Sequence, residues 1–179
     1  GHSFLLRLVP MRRTLNILGI EFLAIALAIV ASLHGVVTDE AKYLLNIPYP
    51  HPPLFRFITG LIRVIPGQEL FWRVLLATLL LQTARLIPSF FPPEQKRERF
   101  AAGALWLLSA AVLTQAGQIL VAPVTALQVL AFCWLLLKGK DLERYAGWIA
   151  LLWLASLFTA YQAILFSPVV FAVFYRMRL

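Results

Sequence analysis

Long apolar runs parted by short charged turns govern what this chain can fold into. Residues 15–37, 69–91, 100–115, 122–137, 145–158 and 164–175 carry few charges between them. An α-helix needs about 20 predominantly apolar residues to cross a bilayer, and these runs approach that length. Hydrophobic residues make up 61% of the 179, with a mean hydropathy of +0.82, more than one soluble core can enclose. The expected fold is therefore all-α, a polytopic membrane helix bundle of about six spans.

The formal charge of +8 does not point to nucleic acid, because the basic residues form no single face or arm. They flank the apolar runs instead. With six crossings, Arg12 and Arg13, the turns 92–99 and 138–144, and Arg176 and Arg178 all fall on one side, as the positive-inside bias requires. Residues 1–10 read as a vector-derived leader, since Met11-Arg12-Arg13 looks like a natural start and Leu8-Val9-Pro10 resembles part of an engineered protease site. Residues 11–179 then form a single transmembrane domain. The first run is too long for the apolar part of a secretory signal and lacks a small-residue cleavage site after it, so it reads as an anchored helix. The single cysteine, Cys133, excludes a disulfide or a redox pair within one chain.

The same topology gathers Asp39, Glu40, Lys42, His51, Arg56, Arg63, Arg73, Gln115, Gln118, Tyr161 and Gln162 at the outer face. Its centre is the loop Thr38-Asp39-Glu40-Ala41-Lys42-Tyr43, followed by Tyr49-Pro50-His51-Pro52-Pro53-Leu54. In residues 54–65 the polar positions 56, 59, 60 and 63 have helical spacing. That stretch is short for a crossing and reads as an interfacial helix with Arg56 and Arg63 facing headgroups. Arg73 and Arg85 lie near span ends and reach an interface by snorkelling. Glu21, inside the first run, either snorkels or pairs with an arginine, or has a function. Trp72, Trp106, Trp134, Trp148 and Trp153 read as interface anchors, and His51 as a residue that fixes its loop by bonding to backbone.

An outward polar cavity follows, since polar groups at membrane depth line water or substrate. Acids beside several cations suit a reaction that deprotonates a hydroxyl while holding a phosphate, the chemistry of sugar transfer from a lipid phosphate. A scaffold that keeps only the helices stays open as an alternative. So does a divalent cation held by Asp39, Glu40 and water. A transporter should show a repeat between halves, and the sequence has none.

Asp39-Glu40-Ala41 with Tyr43, then His51-Pro52-Pro53-Leu54, resembles the first external loop of GT-C glycosyltransferases, in particular the protein O-mannosyltransferase and lipid A aminoarabinose transferase group. The segment 153–165 is similar to that family's Gly-Leu-x-x-Leu-Thr-Lys-Tyr-x-Ala-Leu-Leu stretch, with Ala160 where the family has lysine. The chain is shorter than the family's members, so the resemblance implies either their amino-terminal transmembrane module or a shortened relative. The resemblance implies metal-independent, inverting transfer of a sugar from a polyprenyl-phosphate donor to a protein, glycan or lipid hydroxyl, with the active site outside a bacterial or archaeal cell membrane. Asp39 would be the general base and Glu40 would orient the acceptor or the loop. Tyr43, His51, Tyr161 and Gln162 would contact substrate, while Arg56, Arg63 or Arg73 would neutralise the departing phosphate.

Overall fold

The computed structural model describes the backbone of residues 2–137 and 139–177, and the side chains of residues 13–137 and 141–177. The side chains of residues 2–12, the Arg12 of the basic end among them, and residues 138 and 178 lie outside what is described. Among the described residues every regular element is helical, in agreement with the all-α expectation. In chain order the α-helices are α1 (His2–Leu33), α2 (Thr38–Leu44), α3 (Leu54–Gly60), α4 (Gln68–Gln82), α5 (Lys96–Leu108), α6 (Ala110–Gln115), α7 (Val121–Leu136), α8 (Ala146–Leu157) and α9 (Ser167–Met177). The chain forms two compact units, residues 1–35 with 69–118 and residues 36–68 with 119–179.

The first unit is built on small residues. Ala24 and Ala28, one turn apart on α1, are buried with Ala77, Leu80 and Leu81 of α4 and with Val112 and Ala116. Alanines at this spacing let helix backbones approach closely, the usual means of packing helices where lipid surrounds them. The opposite face of α1 presents Leu15, Leu18, Phe22, Ile25 and Ile29 outward. Residues Arg13–Leu33 are long and apolar enough to cross a membrane, and only 11% of their most apolar window is buried. Val121–Leu136 and the stretch Tyr161–Met177 are apolar but shorter.

Among the described residues Glu21 meets neutral partners rather than an arginine. Its carboxylate accepts from Thr78 Oγ1 at 2.6 Å and Gln82 Nε2 at 3.3 Å, both on α4. Trp106 is likewise a packing residue, donating Nε1–H to the Leu80 carbonyl at 2.8 Å. Trp72 is buried as well, whereas Trp134 and Trp148 are exposed.

Several apolar runs are not single helices. Residues 69–91 comprise α4 and two 3-10 turns, Thr83–Arg85 and Ile87–Phe90. Pro88, which lacks an N–H, sits in the first turn of the second segment. Residues 100–115 are divided by Ser109, whose extended backbone (φ −62°, ψ 123°) separates α5 from α6. The last run opens with a 3-10 turn, Tyr161–Phe166, and α9 begins at Ser167.

Two glycines with left-handed backbone end helices in the first unit: Gly35 (φ 77°) after α1 and Gly117 (φ 83°) after α6. Their carbonyls converge on Arg73, which donates from Nη2 to Gly35 O at 3.3 Å and from Nη1 to Gly117 O at 2.9 Å. Its Nε–H bonds Glu69 Oε1 at 2.9 Å. One guanidinium thus serves the carboxyl ends of two helices, where cations are favoured.

The second unit packs Phe132 and Leu135 of α7 with Ile149 of α8 and Val170 of α9. Its α3 is tied to the end of α8 by the Leu54 N–H, which donates to the Phe158 carbonyl at 3.0 Å.

Gly117→Ala tests the left-handed cap. A Cβ there would lie 3.0 Å from Ala28 Cα on a backbone with φ +83°, and the conformation alone costs an L-residue roughly 1–2 kcal/mol. Urea unfolding in micelles should show a loss of at least that size. Gly147→Ala, with nothing within 4 Å of its Cβ, should be neutral or slightly stabilising.

Candidate functional site

The stretch read as an acidic external loop folds as a helix. Asp39 and Glu40 occupy the first turn of α2, where acids complement the amino-terminal end of the helix dipole. The run Ala41-Lys42-Tyr43-Leu44 continues it. The helix ends at Asn46, whose φ of 57° is left-handed, with the Ile47 N–H returning to the Lys42 carbonyl at 3.1 Å. That six-to-one bond is a Schellman closure, with asparagine in the place usually held by glycine.

Seven residues are too few for a helix to hold by propensity, and groups around α2 supply the rest. At its start, Glu40 Oε2 accepts the Val37 N–H at 3.1 Å and Oε1 accepts the Ile119 N–H at 2.9 Å. Only 1% of Glu40 is exposed. At its end, Arg63 donates from Nε to Leu44 O at 3.2 Å and from Nη2 to Tyr43 O at 3.4 Å, joined by Thr59 Oγ1 to Tyr43 O at 3.1 Å. The Tyr43 ring packs edge-on against Phe55 of α3, centroids 4.8 Å apart.

These contacts assign Glu40, Tyr43 and Arg63 to holding the corner together. Arg63 therefore points into the protein, where the sequence suggested headgroups. Arg56 reaches the Ile47 carbonyl at 3.4 Å and is half-buried. Arg73, expected to snorkel, is 1% exposed and belongs to the first unit. Tyr161 and Gln162 are exposed on their 3-10 turn, without a hydrogen bond to the α2 groups among the described residues.

Asp39 differs from its neighbour. About 100° around the helix from Glu40, its side chain is 65% exposed and pairs with Lys42 at 2.5 Å. The Lys42 ammonium stands 3.7 Å from the centre of the Tyr49 ring, and the His51 ring packs on Tyr49 at 4.5 Å. His51 is fixed by that stacking and by its own N–H to the Tyr49 carbonyl at 2.7 Å. A carboxylate, an ammonium, a phenol and an imidazole therefore line one solvent-facing edge of the second unit. The sequence placed Lys42 at the outer face and Tyr49 in the same loop but gave neither a role, although Lys42 lies three residues after Asp39, the spacing of facing side chains on a helix.

The hydrogen bond from Lys42, and then its charge, hold the Asp39 carboxyl below the usual 3.8. The same bond raises Lys42 above its ordinary value. Burial pushes the Tyr43 phenol up, with the Asp39 charge adding to it. Asp39 is thus ionised at neutral pH and serves as a hydrogen-bond acceptor, a weaker base than an unpaired carboxylate. Both oxygens of Glu40 already accept N–H bonds, so a cation beside Asp39 would have to compete with the backbone for that second carboxylate. Comparison of the chain with protein-family models, curated proteins and solved structures finds no match.

Replacing Glu40 with alanine would leave the buried Ile119 N–H without this acceptor, and unfolding should show a loss of about 1–3 kcal/mol. The Asp39 midpoint, followed by carboxyl NMR, should lie below 3.8 and return toward it in Lys42→Met. Because the folded value is the depressed one, the small stabilisation from this pair is present above 3.8 and lost as pH falls through the lowered midpoint.

Proposed function

We propose that the chain is a membrane-embedded sugar-transfer module of the GT-C type, in which Asp39 is the general base. The observation that carries this reading is the division of labour on α2. Glu40 is consumed by backbone N–H groups, while the adjacent Asp39 stays ionised, exposed and flanked by Lys42, Tyr49 and His51. The resemblance of Asp39-Glu40-Ala41-x-Tyr43 and His51-Pro52-Pro53-Leu54 to the first external loop of those transferases supplies the reaction.

The apolar outer face of α1 supports placement in a bilayer, and six crossings put the basic turns on the cytoplasmic side and α2 on the other. The segment 54–65 lies in the membrane surface. Its outward residues are Phe57, Leu61, Val64 and Ile65, with Val64 92% exposed. That apolar edge suits an interfacial position better than water does.

In the reaction the acceptor hydroxyl sits against Asp39 and attacks the anomeric carbon of a polyprenyl-phosphate sugar from the face opposite the phosphate. The new oxygen–carbon bond forms as the carbon–phosphate oxygen bond breaks. The lipid phosphate leaves with the electron pair, and the hydroxyl proton passes to Asp39. Lys42, the cation nearest Asp39, can turn to the departing phosphate as the carboxylate is neutralised. The aromatic faces of Tyr49 and His51 offer a surface for a sugar ring.

A second reading, a non-catalytic scaffold or lipid-binding module, draws on a different observation. Arg56, Arg63 and Arg73 all donate to main-chain carbonyls, and Ala160 stands where the family's lysine would. Asp39→Asn separates the two readings. Transfer from a polyprenyl-phosphate sugar to a hydroxyl acceptor in proteoliposomes should fall about 10²–10⁴-fold, with thermal stability nearly unchanged because Asp39 is exposed. Transfer at the wild-type rate would remove Asp39 from the chemistry.

A further inference from the structure

The first unit contains a second feature that the sugar-transfer reading does not use. Between α1 and α5 lies an open groove of about 800 Å³. Asn16 apart, its walls between the arginines are apolar or small, among them Gly19 and Ile20 on α1 and Gly103 and Leu107 on α5. Gly103 packs so tightly on the Ala84 carbonyl that a Cβ would come within 2.9 Å, which fixes that side of the floor. Gly19 faces open space, with nothing within 4 Å of where a Cβ would stand.

Three arginines, Arg13, Arg85 and Arg99, also line the groove. None has a carboxylate partner among the described residues, and neither Glu94, in the turn before α5, nor Glu98, in its first turn, pairs with any of them. Arg85 makes only a 3.5 Å contact to Gln82 Oε1, and Arg99 spends one nitrogen on the Phe91 carbonyl at 2.8 Å. Donors thus remain for a further anion. Guanidinium forks match phosphate oxygens bidentately.

We infer that this groove is a binding site for an anionic phospholipid of the inner leaflet. The phosphate lies among Arg13, Arg85 and Arg99, and an acyl chain runs along Gly19 and Leu107. Charge complementarity at the rim and an apolar trough below it select this occupant over a neutral lipid or a free anion. The site depends on α1 lying in a bilayer but not on sugar transfer.

The test uses the full chain purified in neutral detergent, with phosphatidylglycerol, phosphatidylcholine or inorganic phosphate added and binding read by native mass spectrometry and thermal shift. Phosphatidylglycerol should bind and stabilise, with phosphatidylcholine and millimolar inorganic phosphate giving little. Arg13→Gln and Arg85→Gln should each weaken phosphatidylglycerol binding about fivefold. Gly19→Leu, which keeps every charge and fills open space, should weaken it while leaving the lipid-free melting temperature in place. Asp39→Asn should bind phosphatidylglycerol like the wild type whatever its transfer activity, so failure of one reading is distinguishable from failure of the other. Equal stabilisation by phosphatidylcholine, the same effect from inorganic phosphate, or no response to Gly19→Leu would each overturn the assignment.

Discussion

A single buried carboxylate sets the geometry of the candidate site. Glu40 accepts one N–H from the residue that precedes α2 and another from Ile119, far along the chain. Both oxygens of the side chain are taken by main-chain N–H donors, and at 1% exposure water competes little for them. The first turn of a seven-residue helix is thereby held from both sides. Everything proposed for Asp39 follows from that restraint, since a fixed Glu40 turns the next side chain back along the helix into solvent.

The opposite end of α2 shows a complementary economy. Arg63 and Thr59 cover the last carbonyls, and Asn46 takes the left-handed turn that lets the chain leave. A cation at a carboxyl terminus and an acid at an amino terminus both act along the helix dipole. The short helix is thus stabilised electrostatically from two neighbours rather than by its own length, and the exposed edge formed by Asp39, Lys42, Tyr49 and His51 is carried on a rigid support.

The all-helical character was legible from the apolar runs, and the starts of α7, α8 and the segment after Pro53 fall within a residue or so of where the sequence placed them. The breaks were not. Ser109 is neither proline nor glycine, and its extended conformation leaves no mark in composition. The helical state of Thr38–Leu44 was signalled by acids in its first turn and helix-forming residues after them, a pattern obscured by the prolines that follow. Identical charges also concealed opposite fates. Asp39 and Glu40 are adjacent in sequence, yet one is in water and the other enclosed, and only the long-range partner Ile119 distinguishes them. The arginines misled for the same reason: Arg63 and Arg73 find carbonyls at sequence separations that no local pattern encodes.

The Arg73 cluster carries a consequence for how the chain is made. Its acceptors are Gly35, already synthesised when Arg73 emerges, and Gly117, which is not. During synthesis the guanidinium can bond Glu69 and the end of α1 first, but the Gly117 carbonyl arrives only after more than forty further residues have been added. The bond to Gly117 therefore joins the first unit late, once the turn after α6 has been made.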